Sequence, residues 1–202
     1  MFAILEAAGW PIWFLLLASI IAVALIIERS MSLRRSKIVP PGLLDMVVTG
    51  YRTHGVTPDI LTNLEAHSPL GRVFASGLRN VGATREIMKE SIEEAGRAVT
   101  HDLERFLTTL GTIASMSPLM GLFGTVVGMI EIFGSQGPSG GNPQQLAHGI
   151  SIALYNTGFG LLIAIPSMIA YRHFRALVDS FVVDMEQQAL RLVELVHGQR
   201  SN

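Results

Sequence analysis

The stretch LTTLGTIASMSPLMGLFGTVVGMI, residues 107–130, decides the fold because it holds no Lys, Arg, Asp or Glu. A second charge-free run, GISIALYNTGFGLLIAIPSMIAY, covers residues 149–171. At about 1.5 Å of rise per helical residue, each run can cross a hydrocarbon core of about 30 Å, which takes roughly 20 residues. Inside a bilayer only helices and closed barrels satisfy their backbone polar groups, and neither run shows the period-two alternation of a barrel strand. The chain reads as an integral membrane protein. Its function then has to reside in the few polar groups that these runs carry.

Working outward, residues 10–27 form a third apolar run that stops at Glu28 and Arg29. A cleaved signal peptide would open on basic residues and close at a small-residue site. Here residues 1–13 hold no Lys or Arg, and the run ends in Glu28-Arg29-Ser30-Met31 with more basic residues following. It reads as a retained first span. Orientation follows from the cations: Arg29, Arg34, Arg35 and Lys37 follow span one, Arg97 and Arg105 precede span two, and Arg172 and Arg175 follow span three, while residues 132–148 hold none. Positive residues stay on the cytoplasmic side. The predicted order is a periplasmic N-terminus (1–9), transmembrane helix 1 (10–28), a cytoplasmic helical segment (29–106), transmembrane helix 2 (107–133), a periplasmic loop (134–148), transmembrane helix 3 (149–171) and a cytoplasmic C-terminal helix (172–202).

Composition sets what the chain is not. Its 202 residues carry a net charge of −1, with 49% hydrophobic and 15% charged residues, so no electrostatic footprint for nucleic acid exists. With no cysteine, disulfides and thiolate metal sites are excluded, and the six histidines show no ligand spacing. No metal or other cofactor is expected. G-x-S-x-G, H-E-x-x-H and P-loop patterns are all missing, so an enzyme is not expected either. His101 and Glu104 share one helical turn, the pattern of a solvated face.

Between spans one and two, Pro40-Pro41-Gly42 breaks the chain, and Thr57-Pro58 and Ser68-Pro69 each place a hydroxyl at N-cap and proline at N1. From Arg85 onward, Met88, Ile92, Ala95, Val99, Leu103, Phe106 and Leu110 recur at spacings of three and four, an apolar stripe on one helix, with Glu93 and Arg97 paired at i,i+4 on the wet side. No breaker intervenes before residue 107, so span two is predicted to continue this cytoplasmic helix. Asn142-Pro143 reads as the start of span three after the Gly/Pro-rich stretch 134–141. Beyond it Val178, Val182, Met185, Ala189, Leu192 and Val196 repeat at four and three, so span three also runs on. Two striped helices leaving the membrane side by side can form an intramolecular bundle or an oligomeric cytoplasmic cage. The thin core favours copies of the chain covering one another.

Inside span two, Ala114, Ser117, Gly121, Thr125 and Gly128 share a face, with Gly124 beside it, and Gly124 and Gly128 make a G-x-x-x-G pair. In span three Ala153, Thr157, Gly160, Ala164 and Ser167 share a face. Spacing alone fits two roles: close helix packing, or the lining of a pore. Pro118 and Pro166 kink or loosen their helices, which helix bundles tolerate. Asn156 and Tyr155 lie at mid-span, where an amide must find another helix or a cavity. No carboxylate lies at mid-membrane; Glu131 and His148 sit at the outer ends of spans two and three. A proton relay through these spans would need a titratable group from another polypeptide.

The segments SPLMGLFGTVVG (117–128) and GISIALYNTGFG (149–160), with Ala164-Ile-Pro166 and the three-span plan, are similar to the ExbB/TolQ/MotA family, and the resemblance covers essentially the whole chain. Three spans place it nearer ExbB and TolQ than four-span MotA. The resemblance implies an all-α homo-oligomeric ring, five-fold in the family, in the bacterial inner membrane. It would enclose the single membrane helices of two ExbD- or TolR-like partners, past whose Asp protons move, and pass the motion to a TonB- or TolA-like protein. The family's pore-facing threonines correspond to Thr125 and Thr157. Ser117, Gly121, Ala153 and Gly160 accompany them along the ion pathway, and Gly124, Gly128, Pro118 and Pro166 serve helix packing. One position departs: Ile152 stands where ExbB and TolQ usually carry Glu.

Overall fold

A computed structural model describes residues 9–134 and 143–197, and all regular secondary structure among them is helical. Eight helices follow one another: α1 Pro11–Ser32, α2 Arg35–Ile38, α3 Leu43–His54, α4 Pro58–His67, α5 Pro69–Arg79, α6 Arg85–Glu104, α7 Leu107–Gly134 and α8 Pro143–Val196. Of these, α1, α7 and α8 are long and apolar enough to cross a membrane. The expectations for residues 1–8, 135–142 and 198–202 lie outside the described residues.

The chain divides into two compact units. The first comprises Met1–Arg29 and Phe106–His173. Here α7 and α8 pack closely, and α1 lies against α8 along a narrow apolar cleft of about 220 Å³ bordered by Leu15, Ser19, Ala22, Phe159, Ile163 and Ser167. Outside these contacts the helices present large apolar side chains such as Leu17, Ile20, Leu122, Ile130, Leu162 and Ile169 to their surroundings. In water that surface would drive aggregation, whereas in hydrocarbon it costs nothing.

The second unit comprises Ser30–Arg105 and Phe174–Asn202. Its short helices start where hydroxyl caps allow: Thr57 Oγ1 accepts from the Ile60 amide at 3.4 Å and Ser68 Oγ from the Gly71 amide at 3.0 Å, each with proline at the first turn. Helix α5 packs against α4 and α6 through Leu70, Phe74 and Leu78. Asn80 Nδ2 donates to Ser91 Oγ (2.7 Å) and Ser76 Oγ to the Ser91 carbonyl (3.0 Å), pinning α5 to α6. The α6 stripe is buried at Met88, Ile92, Val99 and Leu103, and the α8 stripe at Val178, Met185, Ala189 and Leu192. Ion pairs Arg175–Glu104 (3.1 Å) and Arg35–Asp184 (2.8 Å) join α8 to α6 and α2.

One expectation is corrected. The helix starting at Arg85 does not run on into span two; it ends at Glu104, and a new helix begins at Leu107. Phe106 has φ +66°, in the left-handed region, which stops the i→i−4 ladder: the Arg105 amide reaches back three residues to the Asp102 carbonyl, and the Leu110 amide restarts on Phe106. Phe106 therefore leaves the buried stripe and is 38% exposed. The spacing of three and four persists across the joint, since Leu103 is followed by buried Leu107 and Leu110. A one-residue backbone reversal is invisible to periodicity. At the third span the continuation is observed: α8 is one helix of 54 residues.

Candidate functional site

Ser117, Thr125, Asn156 and Thr157 lie where α7 and α8 pack antiparallel. The register is set by small residues. A Cβ on Gly111 would meet the Tyr171 ring at 3.1 Å, one on Gly160 the Ser117 carbonyl oxygen at 2.5 Å, and one on Gly121 the Asn156 carbonyl oxygen at 2.6 Å. Further along, Gly128 faces Ala153 (3.1 Å) and Gly149 faces Ile132 (2.7 Å). Backbones come this close only where side chains are absent, and the reward in a bilayer is dispersion contact along both helices.

At the middle of this seam lie the two threonines. Thr125 Oγ1 and Thr157 Oγ1 are 2.6 Å apart, and Thr125 Oγ1 is also 3.1 Å from the Ala153 carbonyl oxygen and 3.2 Å from that of Gly121. A hydroxyl has one proton and can accept more. When Thr125 donates to a carbonyl, Thr157 donates to Thr125, so the pair forms a short hydroxyl chain. Both residues are half-buried, at the border of the helix contact. Beside them Asn156 is fully buried, its amide filling the notch left by Gly124, where a Cβ would come within 2.8 Å of Asn156 Cγ. Tyr155, its neighbour, is exposed.

The remaining residues singled out from sequence divide cleanly. Ser117, Gly121, Ala153 and Gly160 are buried between the two helices, and Ser117 Oγ donates to the Ile113 carbonyl at 2.7 Å. Gly124 and Gly128 lie in the same contact. Pro118 is half-buried within α7, and Pro166 is exposed within α8. Ile152 is half-buried, Glu131 and His148 are exposed, and His101 is exposed with Glu104 on the rim of a groove in the second unit. Among the described residues no cluster of His, Cys, Asp and Glu could hold a metal ion.

Sequence reasoning did not anticipate Arg29. Its guanidinium, 5% exposed, binds the Glu28 carboxylate through Nε and through Nη2 at 2.7 Å, and its Cζ lies 5.4 Å from the centroid of the Phe106 ring. The available signal was a cation placed directly at the end of an apolar run.

Such an arrangement defines a membrane protein that is helical throughout its described residues and whose mid-span polar groups, among those residues, are hydroxyls and one amide. Comparison with known proteins makes this specific. Residues 65–187 match the MotA/TolQ/ExbB proton channel family. The ExbB-like 3 protein of Synechocystis sp. is 33% identical over 185 residues, covering 89% of this chain and 86% of that one. The biopolymer transport protein exbB1 of Vibrio cholerae is 30% identical over 188 residues (90% and 82%), and the Tol-Pal system protein TolQ of Pseudomonas aeruginosa is 32% identical over 174 (80% and 75%). The chain belongs to the MotA/TolQ/ExbB proton channel family.

Proposed function

We propose that this chain is an ExbB-like proton-channel subunit of the bacterial inner membrane, with its N-terminus in the periplasm and its large loop and C-terminal helix in the cytoplasm. Copies form a homo-oligomeric ring, five-fold as in the family, around the single spans of two ExbD/TolR-like partners. The assembly couples the proton-motive force to TonB- or Tol-dependent work across the envelope. Thr125 and Thr157 face the ion path. Ser117, Gly121, Ala153 and Gly160 belong to the same wall as the layer that lets α7 and α8 close up behind the hydroxyls, while Gly124, Gly128, Pro118 and Pro166 shape the packing.

The observation that carries this reading is the 2.6 Å hydroxyl pair at the edge of a seam between two helices that lack any mid-span carboxylate. Hydroxyls can pass or orient a proton but not store one at neutral pH, so the titrating Asp is lent by the partner. Liposomes containing this chain and a one-span partner should conduct protons, and changing the partner's Asp to Asn should abolish the flux. Identical flux after that change rejects the mechanism.

A second reading, a non-conducting scaffold, is favoured by one fact: the Thr125 hydroxyl already has acceptors within its own chain. Under it, Thr125→Val and Thr157→Val leave function intact, while Gly124→Leu or Gly128→Leu destroys assembly.

A further inference from the structure

Within the first unit, the cleft between α1 and α8 has no part in the proposed channel. Its floor is made by Leu15, Ala22, Ile163 and Ser167, all at most 8% exposed. Short or rigid residues leave it open: Ser19 and Ala22 on α1, Pro166 and Ser167 on α8. Val23 and Leu162 form the rim and are 53% and 68% exposed. Three residues along each helix, on the same sides, Ile20 and Ile165 are exposed as well. The cleft therefore opens directly on the lipid-facing surface of these spans. Its border holds no charged side chain and two hydroxyls, those of Ser19 and Ser167, and Ser167 Oγ donates back to the Ile163 carbonyl at 2.7 Å.

Chemistry and size narrow what can fill it. A buried water needs roughly two to four polar partners, and apolar volumes of this size stay dry and take apolar guests. The space is thin and long: about 220 Å³ in volume, with a lining on α1 that runs from Ile12 to Ile26, about 21 Å at 1.5 Å per residue. A helix with its side chains is about 10–12 Å across and cannot sink into such a slot, whereas a hydrocarbon chain, one methylene wide, can. We propose that this cleft is the seat of one acyl chain of a membrane lipid, held lengthwise between α1 and α8. The chain supplies the dispersion contacts that the two helices cannot make with each other there, so lipid forms part of the attachment of α1. The site involves neither Thr125 nor Thr157, and it stands or falls apart from the proposed channel.

Photolabelling reads the seat directly. The full-length chain is reconstituted in lipid nanodiscs with a phospholipid that carries a photoreactive diazirine in its acyl chain. After irradiation the labelled residues are mapped by mass spectrometry. Leu15 and Ile163 on the floor should be labelled together with Ile20 and Ile165 outside, whereas lipid that merely surrounds the helices reaches only the second pair. Ser19→Leu and Ala22→Phe fill the cleft at two places. Each should abolish labelling of the floor and leave that of Ile20 and Ile165 unchanged, which also shows that the variant still sits in the bilayer. Unlabelled floor residues in the parent overturn the proposal, as does floor labelling that survives either variant. A second copy lying over the cleft is tested in parallel. The sequence has no cysteine, so Val23→Cys introduces a single thiol at the rim. Cross-linking of two copies through that thiol, with the floor unlabelled, assigns the cleft to an interface between copies and overturns the lipid seat.

Discussion

Gly160 lies so close to Ser117 that a Cβ on it would be 2.5 Å from the Ser117 carbonyl oxygen and 3.1 Å from the Gly121 Cα. Neither neighbour is a pliable side-chain tip; both are helix backbone. The closest approach of α7 and α8 is therefore fixed by an absence of atoms, and the polar groups of the seam are held in register by it.

Gly160→Ala should force the two helices apart and lower stability by about 1–3 kcal/mol, as overpacking does. Gly158→Ala is the matched control, since nothing lies within 4 Å of its Cβ position. That change should leave the chain as stable as before or raise its stability by up to about 1 kcal/mol, through better helix propensity. Thermal unfolding of both variants in the same detergent checks the contrast, and equal melting would refute the register.

Gly124 and Asn156 should be energetically coupled. A Cβ at 124 would press on Asn156 Cγ at 2.8 Å and Nδ2 at 2.9 Å. Gly124→Ala should be destabilising in the parent and much less so alongside Asn156→Ala. A double-mutant cycle should return a coupling of roughly 0.5–3 kcal/mol.

Thr125→Val keeps the shape and removes the hydroxyl. The loss of its hydrogen bonds to Thr157 and the Ala153 carbonyl should cost about 1 kcal/mol of stability. Proton flux of the reconstituted assembly should fall far more, by at least about tenfold, equivalent to roughly 1.4 kcal/mol at the barrier. Thr125→Ser, which restores the oxygen, should recover most of the flux. A valine variant that conducts normally supports the scaffold reading instead.

In the second unit, Gly71→Ala would set a Cβ 2.1 Å from the Leu64 carbonyl oxygen at the corner between α4 and α5. No side-chain rotation relieves a clash with backbone, and a loss of about 3 kcal/mol or more is expected. Ser68→Ala at the same corner removes only the cap on the Gly71 amide and should cost about 1 kcal/mol. Limited proteolysis of the full chain in nanodiscs should rank the two variants in that order.

The faces by which α7 and α8 meet are legible in the sequence. The small-residue faces containing Ser117, Gly121 and Thr125, and Ala153, Thr157 and Gly160, are the faces that meet in the structure. Asn156, an amide whose mid-span place calls for another helix or a cavity, is fully buried against α7. What spacing left open was which residues of the two faces touch. An antiparallel pair can slide by a helical turn and still present small residues to small residues.

By itself the sequence determined the three apolar helices, the absence of a mid-span carboxylate and the hydroxyl-capped starts of α4 and α5. Each of these depends on composition or on contacts within one turn. Only the tertiary structure decided that the Ser117 carbonyl sits over Gly160, that Thr125 reaches Thr157, and that Phe106 breaks a helix whose spacing runs straight through it. The contacts depend on where a second segment lies: an Asn156 for Gly124, a Thr157 for Thr125. No local pattern records the position of a distant partner.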